Sequence, residues 1–265
     1  MISIFGIKTP LIKPGDNIVK IVLESIERNN LKILDKDILV FSAKIISTAN
    51  GRILKLSDII PSDKAKELSL IYDMDPRFVE VVLKEADMVI GGVKNALLTI
   101  KNGIIVANAG VDQSNAPPGY VVLWPEDPQK EAKILRNKFM EMGFDVCILI
   151  TDSRVLPMRM GNSAIALGIS GFKPIEDLRG MKDLYERPMR IKRLAIADNI
   201  ASAALIVMGE TSESIPVAIV RGAKVTYGDY DIEEAKIPIE ECLIMHLFKK
   251  YLVNCKKGIE NESRN

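Results

Sequence analysis

One histidine, His246, serves all 265 residues, and there are three cysteines, Cys147, Cys242 and Cys255. A single imidazole excludes a His-rich zinc site and any nucleophile–histidine–acid triad elsewhere in the chain. His246 falls among Cys242, Leu243, Met245 and Leu247, which read as the apolar side of a C-terminal helix, so a structural role is expected for it. The cysteines stand at no zinc-ligand spacing, and their low, odd number fits a reducing compartment better than a disulfide framework. No apolar run approaches the ~18 residues of a membrane span, and the N-terminus lacks the basic stretch and apolar core of a secretion signal. A soluble, cytoplasmic protein with no membrane partner is expected. With 36 Lys and Arg against 35 Asp and Glu, no basic field invites nucleic acid. A Gly-x-x-x-x-Gly-Lys-Ser/Thr loop and a Gly-x-Gly-x-x-Gly fingerprint are also missing, so any nucleotide binds in a less common way. Acid, base and metal chemistry must rest on carboxylates, hydroxyls, lysines and arginines.

What is there reads as an α+β chain with mixed and antiparallel sheets. A short strand and loop span Ile2–Ile12, and Asp16 is placed to cap a helix with Ile18, Ile21, Val22 and Ile26 on one side. Ile38–Phe41 predicts a buried strand followed by a polar loop or turn through Ser47, Thr48, Asn50 and Gly51. Ser62 and Asp75-Pro76 open two helices. Met88–Ile90, Ala96–Ile100, Ile104–Ala107 and Val121–Trp124, divided by turn formers, suggest a meander. A helix is expected over Gln129–Met142, a strand over Val146–Ile150, a helix over Leu194–Met208 and a last strand over Val217–Val220. Residues 1–250 read as one unit of two interdigitated subdomains, with boundaries near 87–95 and 195, and 251–265 as a polar tail.

Three acids each follow an apolar element: Asp112 after Ile104–Ala107, Asp152 after Val146–Ile150, and Glu210 after the helix ending at Met208-Gly209. Loop carboxylates on a rigid scaffold, with a hydroxyl from Thr151 or Ser153, suit Mg²⁺ or Mn²⁺ held together with phosphates. Loops also use aspartates to make turns and caps, and spacing does not separate the two readings. The cations Arg159, Lys173, Arg179, Lys182, Arg187, Arg190, Lys192 and Arg193 either face a polyanion or form a solvated surface.

The chain resembles the coenzyme F420-0:L-glutamate ligase family over about residues 1–222. The carriers begin with Pro10-Leu11-Ile12-Lys13, Gly15-Asp16, Ser47 and Gly51-Arg52, then Ala107-Asn108-Ala109-Gly110-Val111-Asp112 with Ser114-Asn115. They continue with Thr151-Asp152-Ser153, Ala164-Ile165-Ala166-Leu167-Gly168, Met208-Gly209-Glu210 and Arg221-Gly222. The resemblance implies a two-domain homodimer that consumes GTP with a pair of Mg²⁺ or Mn²⁺ ions to join L-glutamate to the deazaflavin F420 precursor through an acyl phosphate. Carried over by position, it implies metal ligation by Asp112, Asp152, Ser153 and Glu210. It implies GTP contacts at Pro10, Leu11, Ile12 and Lys13, at Ala43, Thr48 and Asn115, and at Met208, Gly209, Thr211 and Ser212. The sequence departs from the family at Val155-Leu156, where Gly-Arg is usual, and at Thr48, where Lys is usual; Lys44 and Arg154 are the nearby cations to replace the lost charge. A related amide ligase for another carboxylate and a non-catalytic GTP- and metal-binding paralogue are the other readings.

Overall fold

The computed structural model describes residues 1–246, so Leu247, Cys255 and the expected polar tail lie outside the described residues. Strand β1 (Ser3–Ile7) leads to helix α1 (Ile18–Arg28). The cap of α1 is Asn17, which accepts from Lys20 N–H, and not Asp16. Asp16 accepts instead from Lys13 N–H at 2.7 Å and closes the preceding turn, so the residue one position nearer takes the helix's orphan amide. Strand β2 (Ile38–Ser42) runs straight into helix α2 (Ala43–Ala49) where a polar loop was expected. Ile45, Ile46, Ser47 and Ala49 of α2 are buried, and core contact outweighs the weak helix preference of Ser47-Thr48.

After β3 (Ile53–Lys55), helices α3 (Asp63–Tyr72) and α4 (Pro76–Glu85) start at Ser62 and Asp75 as expected, each cap accepting a first-turn amide. Strands β4 (Met88–Val93), β5 (Ala96–Lys101) and β6 (Ile104–Ala107) make the expected meander. Strand β7 (Tyr120–Val122) does not join it and pairs antiparallel with β3. The chain continues through α5 (Pro128–Glu141), β8 (Cys147–Val155), β9 (Asn162–Ser170), β10 (Ile175–Asp177), β11 (Arg193–Ala195), α6 (Ile196–Met208) and β12 (Val217–Arg221).

The central sheet has the order β1-β12-β2-β8-β9, with β2 and β8 parallel and the other pairs antiparallel. Alternation along its strands divides the core between two faces. Leu39, Phe41, Ile148, Ile150, Val217 and Ile219 pack with α1, α2 and α5. Ile38, Val40, Cys147, Leu149, Ala218 and Val220 pack against Ala197, Ala201 and Ala204 of α6. A third cluster joins α3 and α4 to Leu97, Ala109, Val111, Val121 and Leu123. Arg221 closes the sheet's base with two hydrogen bonds to the buried Asp37, at 2.9 and 2.7 Å.

Three surface readings resolve. Arg179, Lys182, Arg187 and Arg193 pair with Asp177, Glu186 and Asp183 close by, which makes them a self-neutralised surface. Cys147 is buried, its thiol pushed up to about 11 by burial, and Cys242 is also free. His246 is exposed while Met245 is buried, so the imidazole does not lie on the apolar side of its helical turn. Among the described residues no helix is long and apolar enough to cross a membrane.

Gly168 of β9 lies under the first turn of α5, and a Cβ there would stand 2.2 Å from the Pro128 carbonyl oxygen. Gly168→Ala should therefore cost about 1–3 kcal/mol of stability in a urea titration, from overpacking against backbone that cannot move aside.

Candidate functional site

Because β2 and β8 are parallel neighbours in register from Ile38↔Cys147 to Ser42↔Thr151, their C-terminal ends open at the same edge of the sheet. Crevices outside the carboxyl ends of parallel strands collect ligand-binding groups, because the loops that leave them diverge there. Lys44 leaves the end of β2 in the first turn of α2, and Asp152 stands one residue past the last β2-paired position of β8, Thr151. The strand carrying Asp152 does not stop at Ile150 as expected. It continues to Val155 because β9 pairs with it, and a register shift between Ile150 and Thr151 re-aims the side chains. Thr151 then turns its hydroxyl to the Ile165 carbonyl at 2.8 Å and is buried, which leaves Ser153 as the half-buried hydroxyl beside Asp152.

Asp112 reaches the same place from the other side. Its backbone exchanges two hydrogen bonds with Val122, and its carboxylate accepts from Lys44 Nζ at 2.7 Å, Ser114 N–H at 2.7 Å and Ser114 Oγ at 2.6 Å. Lys44 also donates to the Ser114 carbonyl and hydroxyl, both at 2.8 Å. The turn that delivers Asp112 needs Gly110, whose φ is +71° and where a Cβ would stand 2.2 Å from Trp124 Nε1. Trp124 in turn donates its indole N–H to Asp152 Oδ2 at 2.5 Å. Glu210 follows Gly209, the last helical cap of α6, and is exposed.

The charges interact. Burial raises Asp112, but the Lys44 ammonium and the Ser114 hydrogen bonds outweigh it and hold the carboxyl below its ordinary range. Burial pushes Asp152 up to about 6, with the charge of Asp112 adding to it and Trp124, Ser153 and Lys44 opposing. Glu210, though exposed at the surface, is also raised, first by partial desolvation of its carboxyl and then by Asp112 and Glu213, against Lys44. Three carboxylates thus share the field of one ammonium. Among the described residues no three Asp, Glu, His or Cys side chains converge closely enough to cage a metal. The donor set nevertheless fits a hard divalent cation: oxygen ligands only, in excess negative charge, with Lys44 holding the cationic position against Asp112.

The segments expected to meet a nucleotide come together around this edge. Thr9 N–H donates to the Ser214 carbonyl at 3.0 Å, Gly15 N–H to the Ala49 carbonyl at 2.8 Å, and Asn115 Nδ2 to the Thr211 carbonyl at 2.8 Å. Pro10, Leu11, Lys13, Asn115, Thr211 and Ser212 are exposed, and Thr48 is half-buried. Ile12, Ala43 and Met208 are buried in the core, so they shape the site through their backbones. Gly209 has φ +74° and a Cβ there would stand 2.3 Å from the Glu213 carboxyl carbon, whose two oxygens accept from Thr211 N–H and Thr211 Oγ1. Arg154 turns away to Asp198 of α6 at 3.2 Å, so of the two substitute cations only Lys44 stands among the acids. Val155 and Leu156 are exposed at the far end of β8. Trp124 carried no sequence signal for this place, since a strand-end aromatic reads as core and its partner is reached only through non-local pairing.

The family model for F420-0:gamma-glutamyl ligase matches residues 6–222. The coenzyme F420:L-glutamate ligase of Methanopyrus kandleri is 40% identical over 215 residues, 80% of this chain and 83% of that protein. Those of Methanocaldococcus jannaschii and Archaeoglobus fulgidus are each 36% identical over 244 residues, covering 91% and 92% of this chain and 95% and 96% of theirs.

The raised Asp152 carboxyl has a consequence for stability. Between the ordinary carboxyl value of 3.8 and about 6 the folded chain binds more protons than the unfolded one, so stability falls as pH rises through that window. The cost is complete above it and absent below it. Asp152→Asn, which keeps an acceptor for Trp124, should raise the metal-free protein's stability at pH 7.5 by about 1–3 kcal/mol and leave it nearly unchanged at pH 3.5. Thermal melts at the two pH values check this, and equal effects at both would contradict the assignment.

Proposed function

The chain belongs to the F420-0:gamma-glutamyl ligase family, matched over residues 6–222, and on that footing we propose that it is a GTP-dependent ligase joining L-glutamate to a carboxylate of the deazaflavin F420 precursor. The observation that carries the reading is the Lys44–Asp112 pair at 2.7 Å, with Asp152 and Glu210 within reach of the Lys44 charge, beside the loops at 9–16 and 209–216.

In this reading the substrate carboxylate attacks the γ-phosphorus of GTP, GDP leaves, and an acyl phosphate forms. The glutamate amine then attacks the acyl carbon, inorganic phosphate departs and the amine loses its extra proton. Neither step needs a protein nucleophile, which suits a chain whose sole histidine is exposed near the C-terminus. Both need negative charge to be neutralised as it shifts between oxygens. Asp112, Asp152, Glu210 and Ser153 would hold Mg²⁺ or Mn²⁺, which when bound draws charge from the phosphoryl oxygens. Lys44 exchanges Asp112 for a phosphate oxygen, a short movement for a flexible four-carbon side chain. The loop at 9–16 and the Asn115–Thr211 contact set the width of the nucleotide cradle. Val155 and Leu156 favour a second reading, an amide ligase for a different acceptor, because no cation from this strand end reaches the acids.

We further propose that the chain works as a homodimer. Leu156, Met158, Met160, Leu184, Tyr185 and Ile191 expose apolar side chains along 156–191, more than isolated surface residues require.

Incubation of the protein with the glutamate-free precursor, L-glutamate, GTP and Mn²⁺ should give a glutamyl adduct by mass spectrometry, with GDP and phosphate released in equal amounts. Lys44→Met should lower kcat on the order of 100-fold. GTP cleavage without an adduct would move the assignment to another acceptor, and absence of both would defeat the ligase reading.

A further inference from the structure

We propose that Trp124, the chain's only tryptophan, is a positioning residue that fixes the Asp152 carboxylate in a single-oxygen presentation to the site; this rests on the reading above, in which Asp152 serves a metal-assisted ligase. The indole N–H is a donor only and donates to Oδ2 at 2.5 Å, so that oxygen is engaged, and the Ser153 backbone N–H supports the same carboxylate. A carboxylate otherwise rotates broadly about its last torsion. Here that torsion is set by a ring that is itself immobile.

The immobility of the ring has visible causes. Trp124 is 2% exposed. Its backbone carbonyl accepts from Arg52 Nε at 2.7 Å, and the ammonium of Lys101 lies 5.7 Å from its ring centre. Arg52 and Lys101 are both held by Glu85 at the end of α4, Arg52 through two contacts at 3.2 and 3.1 Å and Lys101 by a direct ion pair. Lys101 is buried to 6% exposure, so this cluster is costly to assemble unless every charge is paired. Gly110 completes the slot by leaving the space against Nε1 that a Cβ would fill. Two cations, one carboxylate and one glycine, drawn from four separate segments, converge on the placement of one N–H.

The full-length protein with Mn²⁺ alone is the test. In the wild type Mn²⁺ should quench Trp124 emission on binding, and Asp152→Asn should remove the quenching. Trp124→Phe keeps an aromatic ring and removes the donor. It should weaken Mn²⁺ binding, read by electron paramagnetic resonance, about 10- to 100-fold and lower kcat by a similar factor, with KM for L-glutamate unchanged. If the smaller ring leaves the chain unfolded by circular dichroism, replacing the single tryptophan with benzothienylalanine exchanges N–H for sulfur at nearly constant shape, and the same losses are expected. A folded variant with wild-type Mn²⁺ affinity and kcat would overturn the proposal, as would Mn²⁺ binding that leaves wild-type emission unchanged. Failure of the ligase reading shows elsewhere: the wild type itself would neither bind Mn²⁺ nor add glutamate, and the proposal would fall with it.

Discussion

Three carboxylates share the field of a single ammonium at the edge where β2 passes into α2, and their charges do not balance. Lys44 satisfies Asp112, which stays below its ordinary range, while Asp152 is pushed up by burial and Glu210, on an exposed loop, by partial desolvation and its acidic neighbours. Burying a carboxylate such as Asp152 without a matching cation costs stability. The arrangement makes sense where additional positive charge arrives with a ligand. Under the proposed function, a nucleotide with its divalent cations would bring a phosphate for Lys44 and positive charge for the acids together, and one binding event would relieve both mismatches.

The rest of the architecture delivers these groups to one edge of the fold. The parallel β2–β8 pair sets Ser42 opposite Thr151, so that Lys44 in the first turn of α2 and Asp152 in β8 each follow this last pair closely. The β3–β7 ribbon and the Val122 bridge bring Asp112 in from the third hydrophobic cluster. Helix α6 ends at Gly209 and releases Glu210 into the loop that Asn115 and Thr9 tie down. Trp124 links the two sides: it belongs to the large core over the central sheet, its carbonyl is held by Arg52, and its N–H ends on Asp152.

What the sequence reveals follows the range of the interaction. The caps at Ser62 and Asp75 and the β4–β6 meander rest on signals within a few residues and are legible. Helix α2 is not, because Ser47-Thr48-Ala49-Asn50-Gly51 resembles a loop until Ile45, Ile46 and Ser47 find the core. Nor is the extension of β8 through Asp152, which depends on β9, a partner whose small residues Ala164, Ala166 and Gly168 give little strand signal. The acids themselves were legible as residue types, and family resemblance singled out Asp112, Asp152 and Glu210. Their placement around Lys44 was not, since four separate segments must fold before they meet. Asp16 and Asn17 compete for one cap, and a single position decides which loop geometry precedes α1.

The central claim is that the Lys44 ammonium holds the position that a ligand's positive charge shares with the acids. A crystal structure with Mn²⁺ and a non-hydrolysable GTP analogue, with the metal located by its anomalous signal, tests it most directly. The account predicts manganese at about 2.0–2.6 Å from carboxylate oxygens of Asp112 and Asp152, the distances of hard-cation ligation, with Lys44 Nζ moved from Asp112 to a phosphate oxygen. Manganese bound elsewhere, with the Lys44–Asp112 pair intact, would contradict it.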